Sequence, residues 1–134
     1  MRYLLDTHVI LWLAFNDEKL SPKVRKLLSS DDVEIYLSAV SFWEISIKYQ
    51  MGKLDLKQHN PETIRNGFVQ YYDCQFLDLT IEETTSFFKL EKNYHKDPFD
   101  RMLIWQALQK DLALISDGEK TKLYEDEGLK VIWF

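Results

Sequence analysis

Four carboxylates lie far apart in the sequence, each where an apolar run gives way to a helical pattern. Asp6 and Asp117 close predicted strands, and Glu44 and Asp100 fall in the first turns of predicted helices. Acids gathered in this way suit a hard divalent cation, Mg²⁺ or Mn²⁺, which takes oxygen donors and completes its octahedron with water. An unneutralised cluster would repel itself, so a bound cation would explain its cost. The chemistry open to such a set is metal-assisted hydrolysis, with a polarised phosphate and an acidified water.

Each acid also has a structural reading. Ser41-Phe-Trp-Glu44 fits a capping box, and Asp97-Pro-Phe-Asp100 fits an N-cap followed by an acid that the helix dipole favours. Asp117-Gly118 can be a turn and Asp6 a loop carboxylate. Spacing alone leaves both readings open. Lys48 and Arg101, beside Glu44 and Asp100, are either salt-bridge partners or phosphate contacts. His8, His59 and His95 are scattered, and the sequence has no HExxH pair, no GxGxxG and no GxxxxGK[ST] loop. Trp12, Phe15, Phe42, Trp43, Tyr49 and Trp105 fall on helix faces, where core packing or a partner groove would use them.

The elements that must position the acids alternate. Met1–Leu5 reads as a strand, and Thr7 is placed to cap a helix through Phe15. Ser21-Pro22 opens a helix to about Leu28; Glu34–Ser38 is a strand; Ser41–Met51 is a helix ending at Gly52. Asn60-Pro61 opens a helix to about Tyr72, and Phe76–Leu79 is a short strand. Thr80-Ile-Glu-Glu83 is a capping box leading a helix to about Asn93. Asp97-Pro98 opens a helix through Lys110, followed by a strand at Leu112–Ser116, a short helix around Glu119–Glu125 and a strand at Lys130–Trp133. Apolar strands alternating with helices predict an α/β fold whose parallel sheet is covered on both faces. Ligands bind at the carboxyl ends of the strands in such sheets, which is where the four acids fall.

Composition bounds the rest. A chain of 134 residues, 46% apolar and 29% charged, is sized for one domain over residues 1–134 with its own core. Seventeen basic against 22 acidic residues give a net charge of −5, which argues against a general nucleic-acid coat but not against a local metal-mediated contact. The lone Cys74 excludes an internal disulfide and a cysteine-cluster metal site. Tyr3–Phe15 is interrupted by Asp6 and His8 and is followed by no small-residue cleavage site, and no run reaches membrane-spanning length. The expected location is therefore cytoplasmic, with no membrane contact.

Three stretches carry a family resemblance. Tyr3-Leu-Leu-Asp-Thr-His-Val-Ile-Leu-Trp12, Leu37-Ser-Ala-Val-Ser-Phe-Trp-Glu-Ile-Ser46 and His95-Lys-Asp-Pro-Phe-Asp-Arg-Met-Leu-Ile104 closely resemble a PIN domain of the VapC toxin type. The likeness continues to Leu114-Ile-Ser-Asp117 and Val131-Ile-Trp133. It implies a three-layer α/β/α fold with a central parallel sheet. It also implies Mg²⁺- or Mn²⁺-dependent ribonuclease activity on an RNA substrate, restrained by a cognate antitoxin. The family acids fall on Asp6, Glu44 and Asp100, with Asp117 as the fourth, and Thr7 and Ser116 match hydroxyls beside the metal. After Asp117 the spacing departs from the family pattern: Lys120 stands where an aromatic is usual, and Tyr124 is one residue late. Asp97 and Glu119 are the reserve candidates for the fourth acid. A homodimer through a separate apolar face is expected. The competing expectation is a PIN-like binding module that does not cut. A phosphoryl-transfer aspartate of the haloacid-dehalogenase kind would need an acid two residues after Asp6, where His8 stands.

Overall fold

The computed structural model describes residues 1–133. Its strands are β1 (Arg2–Leu5), β2 (Glu34–Ser38), β3 (Gln75–Leu77), β4 (Ala113–Ser116) and β5 (Lys130–Trp133). They form one sheet in the order β3-β2-β1-β4-β5, with every pairing parallel. The helices are α1 (Thr7–Phe15), α2 (Pro22–Leu28), α3 (Ala39–Gln50), α4 (Pro61–Tyr71), α5 (Ile81–Ser86), α6 (Pro98–Lys110) and α7 (Glu119–Lys122). From β1 the chain winds first toward β3 and later toward β5, so the strand order reverses between β1 and β4. This switch point opens a crevice beyond the strand ends.

Side-chain alternation splits the core in two. Tyr3 and Leu5 of β1 join Ile35, Leu37, Ala113 and Ile115 under α1, α2 and α4. Leu4 and Leu114 face the opposite cluster, with Val40, Leu103, Ile104 and Tyr124. The strands are thus buried on both faces, and the architecture is α/β/α. Leu4, fully buried at the centre of the sheet, should be a sensitive position. Leu4→Ala is expected to cost about 3 kcal/mol, read as a lower urea midpoint at unchanged slope. Among the described residues no helix is long and apolar enough to cross a membrane.

Local chemistry moves three boundaries from their expected places. α1 is capped by Asp6 rather than Thr7, through a hydrogen bond from the His8 amide to Asp6 Oδ1 at 3.4 Å. α3 starts at Ala39, because the Ser38 hydroxyl accepts from the Val40 amide at 3.0 Å. α5 does open with the Thr80–Glu83 capping box but stops at Ser86, with a 3₁₀ turn over Phe87–Lys89. There the Thr84, Thr85 and Ser86 hydroxyls bond back to the carbonyls of Ile81 and Glu82, competing with the helix ladder.

Candidate active site

Asp6, Glu44, Asp100 and Asp117 line a single cleft of about 260 Å³, together with Thr7, His8, Lys48, Asp97 and Gly118. Four separate segments supply these residues. Asp6 ends β1 and Asp117 follows β4, on either side of the switch point. Glu44 comes from α3, and Asp100 from the first turn of α6. Both α1 and α6 begin at the cleft, and the positive ends of their dipoles favour anions there.

Each acid is held differently. Asp6 is buried and accepts the Ser116 hydroxyl on Oδ2 at 2.7 Å. Ser116 in turn accepts the Gly118 amide at 3.0 Å. A Cβ at position 118 would lie 3.0 Å from Thr121 Oγ1 and 3.3 Å from Ser116 Oγ, so glycine lets the loop close on this hydroxyl. Burial pushes the Asp6 carboxyl above its usual range, against the Ser116 hydrogen bond and the nearby His8.

Glu44 does not belong to a capping box, since α3 begins five residues before it. Its Oε2 pairs with Lys48 Nζ at 2.6 Å, while Oε1 is buried with no hydrogen-bond partner. The hydrogen bond to Glu44 pushes the Lys48 ammonium pKa upward, and the charges of Asp97 and Asp100 add to it. Asp97 is the N-cap of α6, accepting from the amides of Phe99 and Asp100. That leaves the Asp100 side chain to the cleft. Burial first, then the charges of Asp6, Asp97 and Glu44, raise the Asp100 carboxyl to about 7. Asp117 lies at the rim with Oδ1 3.9 Å from His8 Nδ1, and His8 stacks on Trp12.

The expected substrate contacts divide. Lys48 and Thr7 line the cleft, but the Thr7 hydroxyl donates to Ser41 Oγ at 3.0 Å. Ser116 is fully buried and holds Asp6, so it positions an acid instead of meeting substrate. Arg101 is not part of the cleft lining. Its guanidinium lies 5.0 Å from the Phe87 ring centroid and donates to the Lys92 carbonyl at 3.3 Å. One residue along a helix is a 100° turn, so facing Asp100 inward sends Arg101 elsewhere. The site also gains His95, whose Nε2 is 3.9 Å from Asp100 Oδ2. Burial lowers the His95 pKa, with Arg101 and Lys120 acting the same way against Asp97. Its place three residues before the Pro98-Phe-Asp100 turn is the sequence signal that could have marked it.

No three acidic, histidine or cysteine groups among the described residues converge at ligating distance. The side-chain partners explain this: Lys48 holds Glu44, Ser116 holds Asp6, and His8 lies against Asp117. A divalent cation nevertheless fits the donor set. The orphaned Glu44 Oε1 needs a partner, and the burial and mutual repulsion that raise Asp100 would be offset by one.

A family model described as PIN domain matches residues 3–126. No curated protein sequence matches the chain significantly. Among solved structures, a chain of VapBC2 from Rickettsia felis, bound to a DNA fragment from their promoter, is 17% identical with a TM-score of 0.70. The match covers 98% of each chain. A chain of VapBC-1 from nontypeable Haemophilus influenzae is 20% identical with a TM-score of 0.67, covering 99% of this chain and 98% of that one. A chain of a toxin–antitoxin complex from Klebsiella pneumoniae is 13% identical with a TM-score of 0.58, covering 89% and 88%. At these identities the three likenesses speak for the fold.

Proposed function

The chain belongs to the PIN domain family, and from that premise we propose that it is a divalent-metal-dependent endoribonuclease, the toxin of a toxin–antitoxin pair. The observation that carries the reading is the convergence of Asp6, Glu44, Asp100 and Asp117, from four separate segments, on one cleft at the switch point. Asp6, Glu44 and Asp100 would hold Mg²⁺ or Mn²⁺, with Asp117 at the rim as the further ligand. A cation bound there supplies Lewis acidity toward a phosphodiester and lowers the pKa of a water.

The chain's own residues supply the rest. Ser116 and Gly118 keep Asp6 in place, and Asp97 sets the first turn of α6 so that Asp100 enters the cleft. Lys48 lines the cleft as a cation paired with Glu44. Drawn away from Glu44, its ammonium can meet a phosphate oxygen and free the carboxylate. The dipoles of α1 and α6 add to the local attraction, which lets a chain of net charge −5 accept a polyanion.

The partner reading rests on exposed aromatics. Trp43 is 57% and Tyr49 42% exposed on α3, and Trp12, Phe15 and Phe42 are only partly buried. An antitoxin helix laid on this surface could extend a basic side chain toward the acids. The presence of a similarly folded chain in a toxin–antitoxin complex supports an antitoxin as the kind of partner. Ile81 and Phe88 are exposed apolar side chains outside the cleft lining, and a homodimer would use an apolar face separate from the cleft. A single domain in the cytoplasm completes the proposal.

Purified chain incubated with labelled RNA and DNA should cut RNA in Mg²⁺ or Mn²⁺, and EDTA should stop it. Binding of RNA with no cleavage in either metal would instead establish the non-cutting module.

A further inference from the structure

Tyr124 is fully buried although it sits in a 3₁₀ segment, Leu123–Glu127, outside the main elements. Its hydroxyl accepts the Tyr94 amide at 3.2 Å and lies 3.2 Å from His95 Nδ1. Both neighbouring rings pack on it, with centroids at 5.1 Å for Tyr94 and 5.5 Å for His95. Tyr94 is tied back in turn, through its own hydroxyl, to Asp126.

The proton count follows from these contacts. A phenol oxygen that accepts one N–H still has its own proton to donate, and His95 Nδ1 is the acceptor at hand. A neutral imidazole that accepts on Nδ1 carries its proton on Nε2. His95 Nε2 is buried, has no hydrogen-bond partner, and faces Asp100 Oδ2 at 3.9 Å. The opposite tautomer would turn a bare lone pair toward the carboxylate and leave the Tyr124 proton without an acceptor. Both are costly away from water.

We infer that His95 is a positioning residue for Asp100: Tyr124 sets its tautomer, so that Nε2–H is presented to the Asp100 carboxylate. A side-chain shift on the order of 1 Å closes the gap to a hydrogen bond. That bond occupies one carboxylate oxygen and leaves the other to the cleft. Outer partners of this kind are worth about 10–100-fold in metal affinity or activity. The spectroscopic test below is independent of the nuclease reading, and the kinetic test rests on it.

Long-range ¹H–¹⁵N NMR on the metal-free, full-length chain at about pH 8, where Asp100 is a carboxylate, should show His95 as the Nε2–H tautomer. Tyr124→Phe, still folded by circular dichroism, should move it toward a tautomer mixture. In Mn²⁺-dependent RNA cleavage, His95→Ala should lower kcat about 10–100-fold with a smaller change in KM. His95→Gln, whose amide N–H can reach Asp100, should recover most of that loss. An Nδ1–H tautomer in the unmodified chain, or a tautomer indifferent to Tyr124→Phe, overturns the inference. So does an equal loss in His95→Ala and His95→Gln. If the unmodified chain cuts no nucleic acid, the nuclease reading fails and the tautomer result alone decides.

Discussion

Asp100→Asn should abolish RNA cleavage while leaving the chain folded. The substitution keeps shape and removes charge. The α6 cap survives it, because the Asp97 carboxylate accepts from the position-100 amide, not from its side chain. His95 Nε2 stands 3.9 Å from Oδ2, and an asparagine carbonyl can still accept from it. What disappears is a negative ligand at the centre of the acid cluster. A loss of on the order of 10²–10³-fold or more in kcat is expected, the scale seen when one preorganised electrostatic contact is removed. Single-turnover cleavage in Mn²⁺, with a melting curve on the same sample, checks both halves. Wild-type rates in the variant would remove Asp100 from the mechanism.

The metal-free chain should lose stability as pH rises from about 4 to about 7. The Asp100 carboxyl is held at about 7 in the folded chain, against an ordinary value of 3.8. Between those values the folded state binds more protons than the unfolded one, so the slope of unfolding free energy with pH is negative. The contribution is present in acid and gone once pH passes through about 7. Buried Asp6, shifted in the same direction, steepens the effect. The upper bound for Asp100 is about 4 kcal/mol, and its partial exposure reduces that to a few kcal/mol at most. Urea melts in EDTA at about pH 5 and about pH 8, compared between the unmodified chain and Asp100→Asn, isolate the contribution of Asp100. The variant should lose less stability over this range, keeping only the share that Asp6 contributes. Saturating Mn²⁺ at the higher pH should restore the unmodified chain by about 2.7 kcal/mol at a hundredfold excess over Kd, and the variant by much less. A pH response identical in both proteins would show that Asp100 is not electrostatically strained.

Much of this arrangement can be read locally. The apolar runs at Arg2–Leu5, Glu34–Ser38 and Ala113–Ser116 appear as strands because both sheet faces are buried. The Asp97-Pro98 and Asn60-Pro61 starts appear as helix openings because capping and proline geometry act within four residues. The resemblance of the three motifs, with the family match over residues 3–126, agrees on the fold. Even the placement of acids at strand ends is a local fact.

Tertiary structure decided the roles. Sequence left Glu44 as cap or ligand, and only the start of α3 at Ala39 removes the cap. Ser116 and Thr7 resembled substrate contacts, yet their hydroxyls turn inward to Asp6 and Ser41, the first of these across 110 residues. Arg101 adjoins Asp100 in sequence and leaves the cleft in space. His95 and Tyr124 are 29 residues apart and meet through a side-chain contact that no periodicity encodes. Periodicity and caps report which face of an element is buried and where it begins, because those forces act over one or two turns. Which carboxylate is desolvated, which hydroxyl finds an acceptor and which proton sits on an imidazole depend on groups brought together when β1 and β4 pair, and that pairing sets the chemistry of the cleft.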